Sequence, residues 1–130
     1  MKKELFIFLA LVSICFLSAC KKSPGFGGLA SISGKVYAYD YTPGGNLEAE
    51  GYTGNINVYI KVEGENYVLK SVDTDYLGAF SFRELRKGTY TIWVYSYCDT
   101  CTGNQEVKKQ TITIENTKDK KILSDFIINI

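Results

Sequence analysis

An all-β sandwich is the fold class that this 130-residue chain predicts, on three observations. From Ala79 to Leu85, and again from Thr89 to Tyr97, apolar residues fall on every second position. Glycine-ended turns punctuate these runs: Thr74-Asp75-Tyr76-Leu77-Gly78 before the first, and Arg86-Lys87-Gly88 between the two. Apolar residues at spacings of three and four, which an amphipathic helix requires, are missing from the stretch. Period two over neighbouring runs with short turns marks paired, half-buried strands.

The remaining elements follow in order. Ser31 to Tyr41 is the first strand, with Ile32, Val36 and Ala38 in one row and Tyr37, Tyr39 and Tyr41 in the other. Thr42 to Asn55 holds four glycines and one proline and is expected to be a long loop, a length often tied to function or disorder. Ile56 to Glu63 alternates, placing Val58 and Ile60 against Tyr59, and Tyr67 to Thr74 is a weaker strand. Asp75 is suited to bond its own backbone two residues on, and Gly78 to take positive φ. In Ala79–Leu85, Phe80 and Phe82 face one way; in Thr89–Tyr97, Tyr90, Ile92 and Val94 oppose Trp93, Tyr95 and Tyr97. Gln105 to Ile114 is a strand whose phase changes between Val107 and Ile112, which predicts a bulge near Lys109. After a polar turn at 116–121, Ile122 to Ile130 is the last strand, with Phe126, Ile128 and Ile130 as its inward row. Seven short strands with turn signals give two packed antiparallel sheets.

The pattern T-D-x-x-G-x-F-x-F, followed by L-x-x-G-x-Y-x-I-x-V, resembles the carboxypeptidase regulatory-like domains. It is carried here by Thr74, Asp75, Gly78, Phe80, Phe82, Leu85, Gly88, Tyr90, Ile92 and Val94, and Ile32-Ser33-Gly34-Lys35-Val36 is similar to that family's first strand. The resemblance covers residues 31–130. It implies a seven-stranded Greek-key sandwich of the prealbumin (transthyretin-like) kind and says little about function, since such domains are carried by many proteins.

Lys2 and Lys3 precede the apolar run Leu5–Leu17, which ends in Leu17-Ser18-Ala19-Cys20. A positive end, a short apolar core and small residues make a secretory signal peptide, too short to span a bilayer as a helix. L-S-A-C is similar to a bacterial lipobox. That likeness implies removal of residues 1–19, diacylation of Cys20, and a lipid anchor in the cell envelope, most simply the outer membrane of a Gram-negative bacterium. Cys20 to Ala30, rich in glycine and without periodicity, is expected to be a flexible tether. The domain would then occupy residues 31–130.

Without residues 1–19, basic and acidic side chains balance at 13 each. No electrostatic case for nucleic acid arises from that balance. The chain has no histidine, which removes Ser-His and Cys-His pairs and the commonest metal ligand. A non-enzymatic protein with no cofactor is expected. Asp40, Asp73 and Asp75 lack the spacing of a calcium loop, so no metal is expected.

Cys98-Asp99-Thr100-Cys101 has three readings. A thiol redox site would sit at a helix N-terminus, and a zinc site would need a second ligand pair. A Cys98–Cys101 disulfide suits an extracytoplasmic protein. Tyr37, Tyr39 and Tyr41 form one outward aromatic stripe, and Trp93, Tyr95 and Tyr97 another. Exposed rings mark surfaces that stack on sugars or anchor an envelope protein. The plainer reading is cross-strand aromatic pairing that stabilises the sheets. A binding or structural accessory module is expected, with glycan binding through these stripes as one role, docking to an envelope protein as the alternative, and thiol redox chemistry the least favoured.

Overall fold

The computed structural model describes residues 22–130. The leader, residues 1–19, and Cys20 lie outside the described residues. Among the described residues nine strands are formed: β1 (Phe26–Tyr41), β2 (Leu47–Tyr52), β3 (Asn57–Val62), β4 (Lys70–Asp73), β5 (Ala79–Leu85), β6 (Gly88–Tyr97), β7 (Gln105–Ile114), β8 (Lys120–Ile122) and β9 (Phe126–Asn129). Strands β2, β5, β8 and β9 all pair with β1 in one sheet, and the second sheet has the order β4-β3-β6-β7. The inner rows pack face to face as a sandwich. Ile32, Val36, Phe82 and Phe126 from the first sheet meet Val58, Ile60, Tyr90 and Ile92 from the second, all buried.

The all-β two-sheet sandwich is as the sequence predicts; the strands differ in four places. First, Phe26–Ala30, expected in the tether, belongs to β1. Glycines conceal this strand start, because they have no side chain to show alternation. They are also required there: a Cβ on Gly28 would lie 2.0 Å from the Leu85 carbonyl oxygen. Second, the expected loop 42–55 contains β2, an edge strand paired with β1 from Tyr37↔Tyr52 to Tyr41↔Leu47. Nearly all of it is solvent-exposed, so no buried row marks it.

Third, the last expected strand is broken into β8 and β9, and both run parallel to β1, not antiparallel. Between them Leu123 turns inward, its N–H held by the Ser33 carbonyl at 2.8 Å. Ile130, expected in the inward row, is largely exposed, whereas Phe126 and Ile128 are buried. Fourth, no bulge interrupts β7, whose register with β6 runs unbroken from Gly88↔Ile114 to Tyr97↔Gln105. The apparent change of phase has a simple cause: Val107 is an outward apolar residue, and Glu106, Lys108 and Gln110 occupy the alternate row.

The turn before β5 forms as its composition dictates. The Asp75 carboxylate accepts from the N–H groups of Leu77 and Ala79, both at 2.9 Å. Gly78 has φ of 72°, and a Cβ there would lie 2.6 Å from the Val36 carbonyl oxygen. Gly34 in β1 faces the core, where the Phe80 ring fills the space a methyl group would need.

Tyr90 is completely buried, with its hydroxyl placed between two backbones. It accepts from the Gly25 N–H at 2.8 Å and donates to the Arg86 carbonyl at 2.8 Å. The Arg86 N–H in turn donates to the Gly25 carbonyl at 2.8 Å, so the chain is fixed to the sandwich from Gly25 onward. Burial raises the Tyr90 phenol above its usual pKa, partly offset by the Gly25 contact. Tyr90→Phe should cost about 1–3 kcal/mol, because both backbone groups lose a buried partner. A denaturant titration reads this as a lower midpoint with an unchanged slope.

Candidate functional site

The two aromatic stripes lie on opposite faces of the sandwich, because β1 and β6 belong to different sheets. On the first sheet Tyr37 packs edge-on against Tyr39 at 5.4 Å and against Tyr52 at 5.3 Å, between ring centres. Tyr41 continues the row, 6.3 Å from Tyr39. The Lys35 ammonium sits 4.7 Å above the Tyr52 ring, a cation–π contact. Tyr52 is a member that the loop assignment of 42–55 concealed.

On the second sheet Trp93 stacks on Tyr59, with ring centres 5.3 Å apart and planes 15° from parallel. Register pairs these two residues directly, and Tyr95 meets Tyr59 edge-on at 5.7 Å. Much of the expected cross-strand pairing is therefore present on both faces. Beside Trp93 and Tyr95 lies a groove of about 340 Å³, bounded by Tyr67 and Val68 of the β3–β4 connection and by Val107 of β7. Its polar lining comes from Lys61, Glu63, Thr91, Lys109 and Thr111.

The floor of this groove is ordered by hydroxyl contacts across the sheet. The Thr91 hydroxyl donates to the Glu63 carboxylate and lies 3.2 Å from that of Thr111. Thr89 and Thr113 make a similar pair at 2.9 Å one step along the ladder. Lys61 donates to the Glu65 carbonyl at 3.2 Å, which steadies the connection forming one wall. Aromatic faces, a carboxylate, ammonium groups and hydroxyls thus line one open channel. Such a set can stack on C–H faces and exchange hydrogen bonds with a polyhydroxylated ligand. Sequence reading found Tyr59, Trp93 and Tyr95, but not Glu63, Tyr67, Thr91, Val107 or Thr111. Two signals were available: threonines in the outward rows of β6 and β7, and the out-of-phase Val107.

Tyr97 lies beyond this groove. With Tyr41, Thr42, Asp99 and Asn129 it lines a second cleft, of about 480 Å³, at one end of the sandwich. The far ends of the two stripes thus converge, although their bodies do not. The Tyr97 hydroxyl donates to the Asp99 carboxylate at 2.5 Å. That hydrogen bond holds the Tyr97 phenol above its usual pKa, with the Asp99 charge adding to the effect.

Cys98 and Cys101 form a disulfide, with Cα atoms 5.4 Å apart. It closes the β6–β7 connection, where the Cys98 N–H also donates to the Asn104 carbonyl at 3.1 Å. A strand precedes the pair and only a 3₁₀ turn, Thr102–Asn104, follows it. The α-helix N-terminus that would lower a thiol pKa is not there. Among the described residues no cluster of three or more potential metal-ligating side chains occurs.

No protein-family model matches the chain, and no curated protein matches it significantly. Among solved structures it is similar to the crystal structure of a Pseudomonas aeruginosa protein proposed to bind carbohydrate. The identity is 16% and the TM-score 0.49, over 78% of this chain and 92% of that one. A likeness this distant carries no argument about ligand or site.

The four-residue ring closed by the disulfide removes little freedom from the unfolded chain, about 2 kcal/mol at most. Cys98→Ser should therefore lower the melting temperature modestly and leave the fold intact. A thermal melt of both forms, followed by circular dichroism, checks this.

Proposed function

We propose that this protein is a non-catalytic binding module of the bacterial envelope that takes a glycan in the groove of the second sheet. The observation that carries the reading is the meeting of Trp93, Tyr95 and Tyr67 with Glu63, Thr91 and Lys109 around one channel. Pairing alone would account for Tyr59 on Trp93, but not for a groove with a hydrogen-bonding floor beside them. Sugars present an apolar C–H face and a ring of hydroxyls, and this lining complements both. Tyr37, Tyr39 and Tyr52 line none of the grooves described above and are not assigned to the glycan.

Anchoring through a lipidated Cys20 completes the proposal, on the strength of the leader and L-S-A-C alone. Kinship with the carboxypeptidase regulatory-like sandwiches is proposed on the residues of the central hairpin. Docking to an envelope protein through a sheet edge is the competing reading, and β2 offers an edge. Glu48 and Glu50 on that strand are the kind of charge that discourages strand addition.

Two measurements test the two parts. Trp93 is the only tryptophan, so its fluorescence reports on the groove. Titration with a panel of polysaccharides should give a saturable change with one class, and Tyr95→Ala should weaken that binding about tenfold, the scale of one aromatic contact. A flat response across the panel would exclude the glycan. Separately, Cys20→Ser should move the protein from the membrane fraction to the soluble fraction, since dual acylation is what makes such anchoring stable. Retention in the membrane would rule out the lipid anchor.

A further inference from the structure

The outer face of the first sheet opposes the glycan groove and has a different character. At the end nearest Lys22, Leu29 is 70% exposed and Ile122 is 80% exposed. Both belong to the outward rows: Leu29 lies on β1 two and four residues before Ser31 and Ser33, which pair with Lys120 and Ile122. Lys22, Arg86 and Lys87 border the groove beside Leu29, and Arg83 and Lys120 border the adjoining one. Among the described residues Glu84 is the one carboxylate lining either groove. Glu48 and Glu50 sit on β2, toward the other end of the sheet. Positive charge around exposed aliphatic side chains is therefore concentrated on one end of one face.

We infer that this face is a contact surface for an anionic phospholipid bilayer. The inference rests on the lipid-anchor reading for its geometry. Gly25 is fixed to Arg86 and Tyr90, so only residues 20–24 separate an acylated Cys20 from the rigid sandwich. Fully extended, five residues reach about 18 Å. A sandwich on so short a leash must rest some surface on or near the headgroups. The surface beside Lys22 carries the cations that anionic headgroups attract and the aliphatic side chains that enter between them. Farther along the face the Tyr52 hydroxyl donates to the Asp125 carboxylate and Glu50 lies across from Tyr39, so the contact is confined to the end beside Lys22. In this orientation the groove on the opposite sheet points away from the membrane.

The test uses residues 22–130, which contain every core residue described above, so it is independent of whether Cys20 is acylated. Its binding is measured by cosedimentation with vesicles of phosphatidylglycerol and phosphatidylcholine, against vesicles of phosphatidylcholine alone. Binding to the anionic vesicles is expected, falling as salt rises. The pair Arg83→Gln and Lys120→Gln should weaken it about 30-fold, at roughly five-fold per cation. Leu29→Ser should weaken it at least about tenfold. The charge-keeping pair Arg83→Lys and Lys120→Arg should bind as the parent does, as should Lys61→Gln with Lys109→Gln on the opposite sheet. All these positions are on the surface, and unchanged melting curves confirm folded variants. The proposal is overturned by no binding to anionic vesicles, by equal binding to neutral ones, or by equal loss from the opposite-face pair.

Discussion

The hydrogen-bonding capacity of β1 is what the rest of the structure depends on. A strand has two edges, and this one is long enough, at 16 residues, to use each edge twice. Around Ile32 and Ser33 it lies between β5 and β8; from Tyr37 to Tyr39 it lies between β2 and β9. Among the described residues no other strand pairing joins the first sheet together. Because its buried row, Ala30 to Ala38, is also the floor of the core, fixing β1 fixes the alternation on both of its faces at once. A register slip of one residue would bury Tyr37 and Tyr39 and expose Ile32 and Val36.

That dependence explains which parts of the fold were legible in the sequence. Where a strand has one buried face and one wet face, as in β5 and β6, period two shows plainly, and the predicted rows are those observed. Where both faces are wet, as in β2, no pattern exists to be read. Where glycine admits a backbone in close approach, as Gly28 does to the Leu85 carbonyl, the strand is silent because its contact is made by main chain. The split of the last strand depended on Leu123 turning inward between two short parallel pairings, which only the neighbouring β1 could dictate. The disulfide was legible because only a short, local geometry had to be met.

The groove was half legible for a related reason. Its aromatic side comes from residues paired directly across β3 and β6, and local alternation places them outward. Its other wall comes from the β3–β4 connection, and its hydroxyl floor from threonines on two strands separated by the disulfide turn. Such a set is assembled by topology, so no window of sequence contains it. Val107 carried the clue in the form of a misfit. An apolar residue that breaks the phase of its own strand can be a bulge, or it can belong to the other surface, and only the register with β6 separates the two.

The parallel pairing of β9 with β1 has a consequence for how the molecule comes into being. Val36 pairs with Phe126, about 90 residues later in the chain. Contacts of that sequence separation carry a large closure entropy and form late. The outer edge of β1 from Val36 to Tyr39 therefore stays open for most of folding, while the local β5–β6 hairpin and the β6–β7 ladder can assemble early. A chain that reaches its compartment unfolded would pass through a stage with one sheet complete and the other exposing a bare aromatic-flanked edge. Until its last strands arrive, that edge is open to pairing with any other exposed strand.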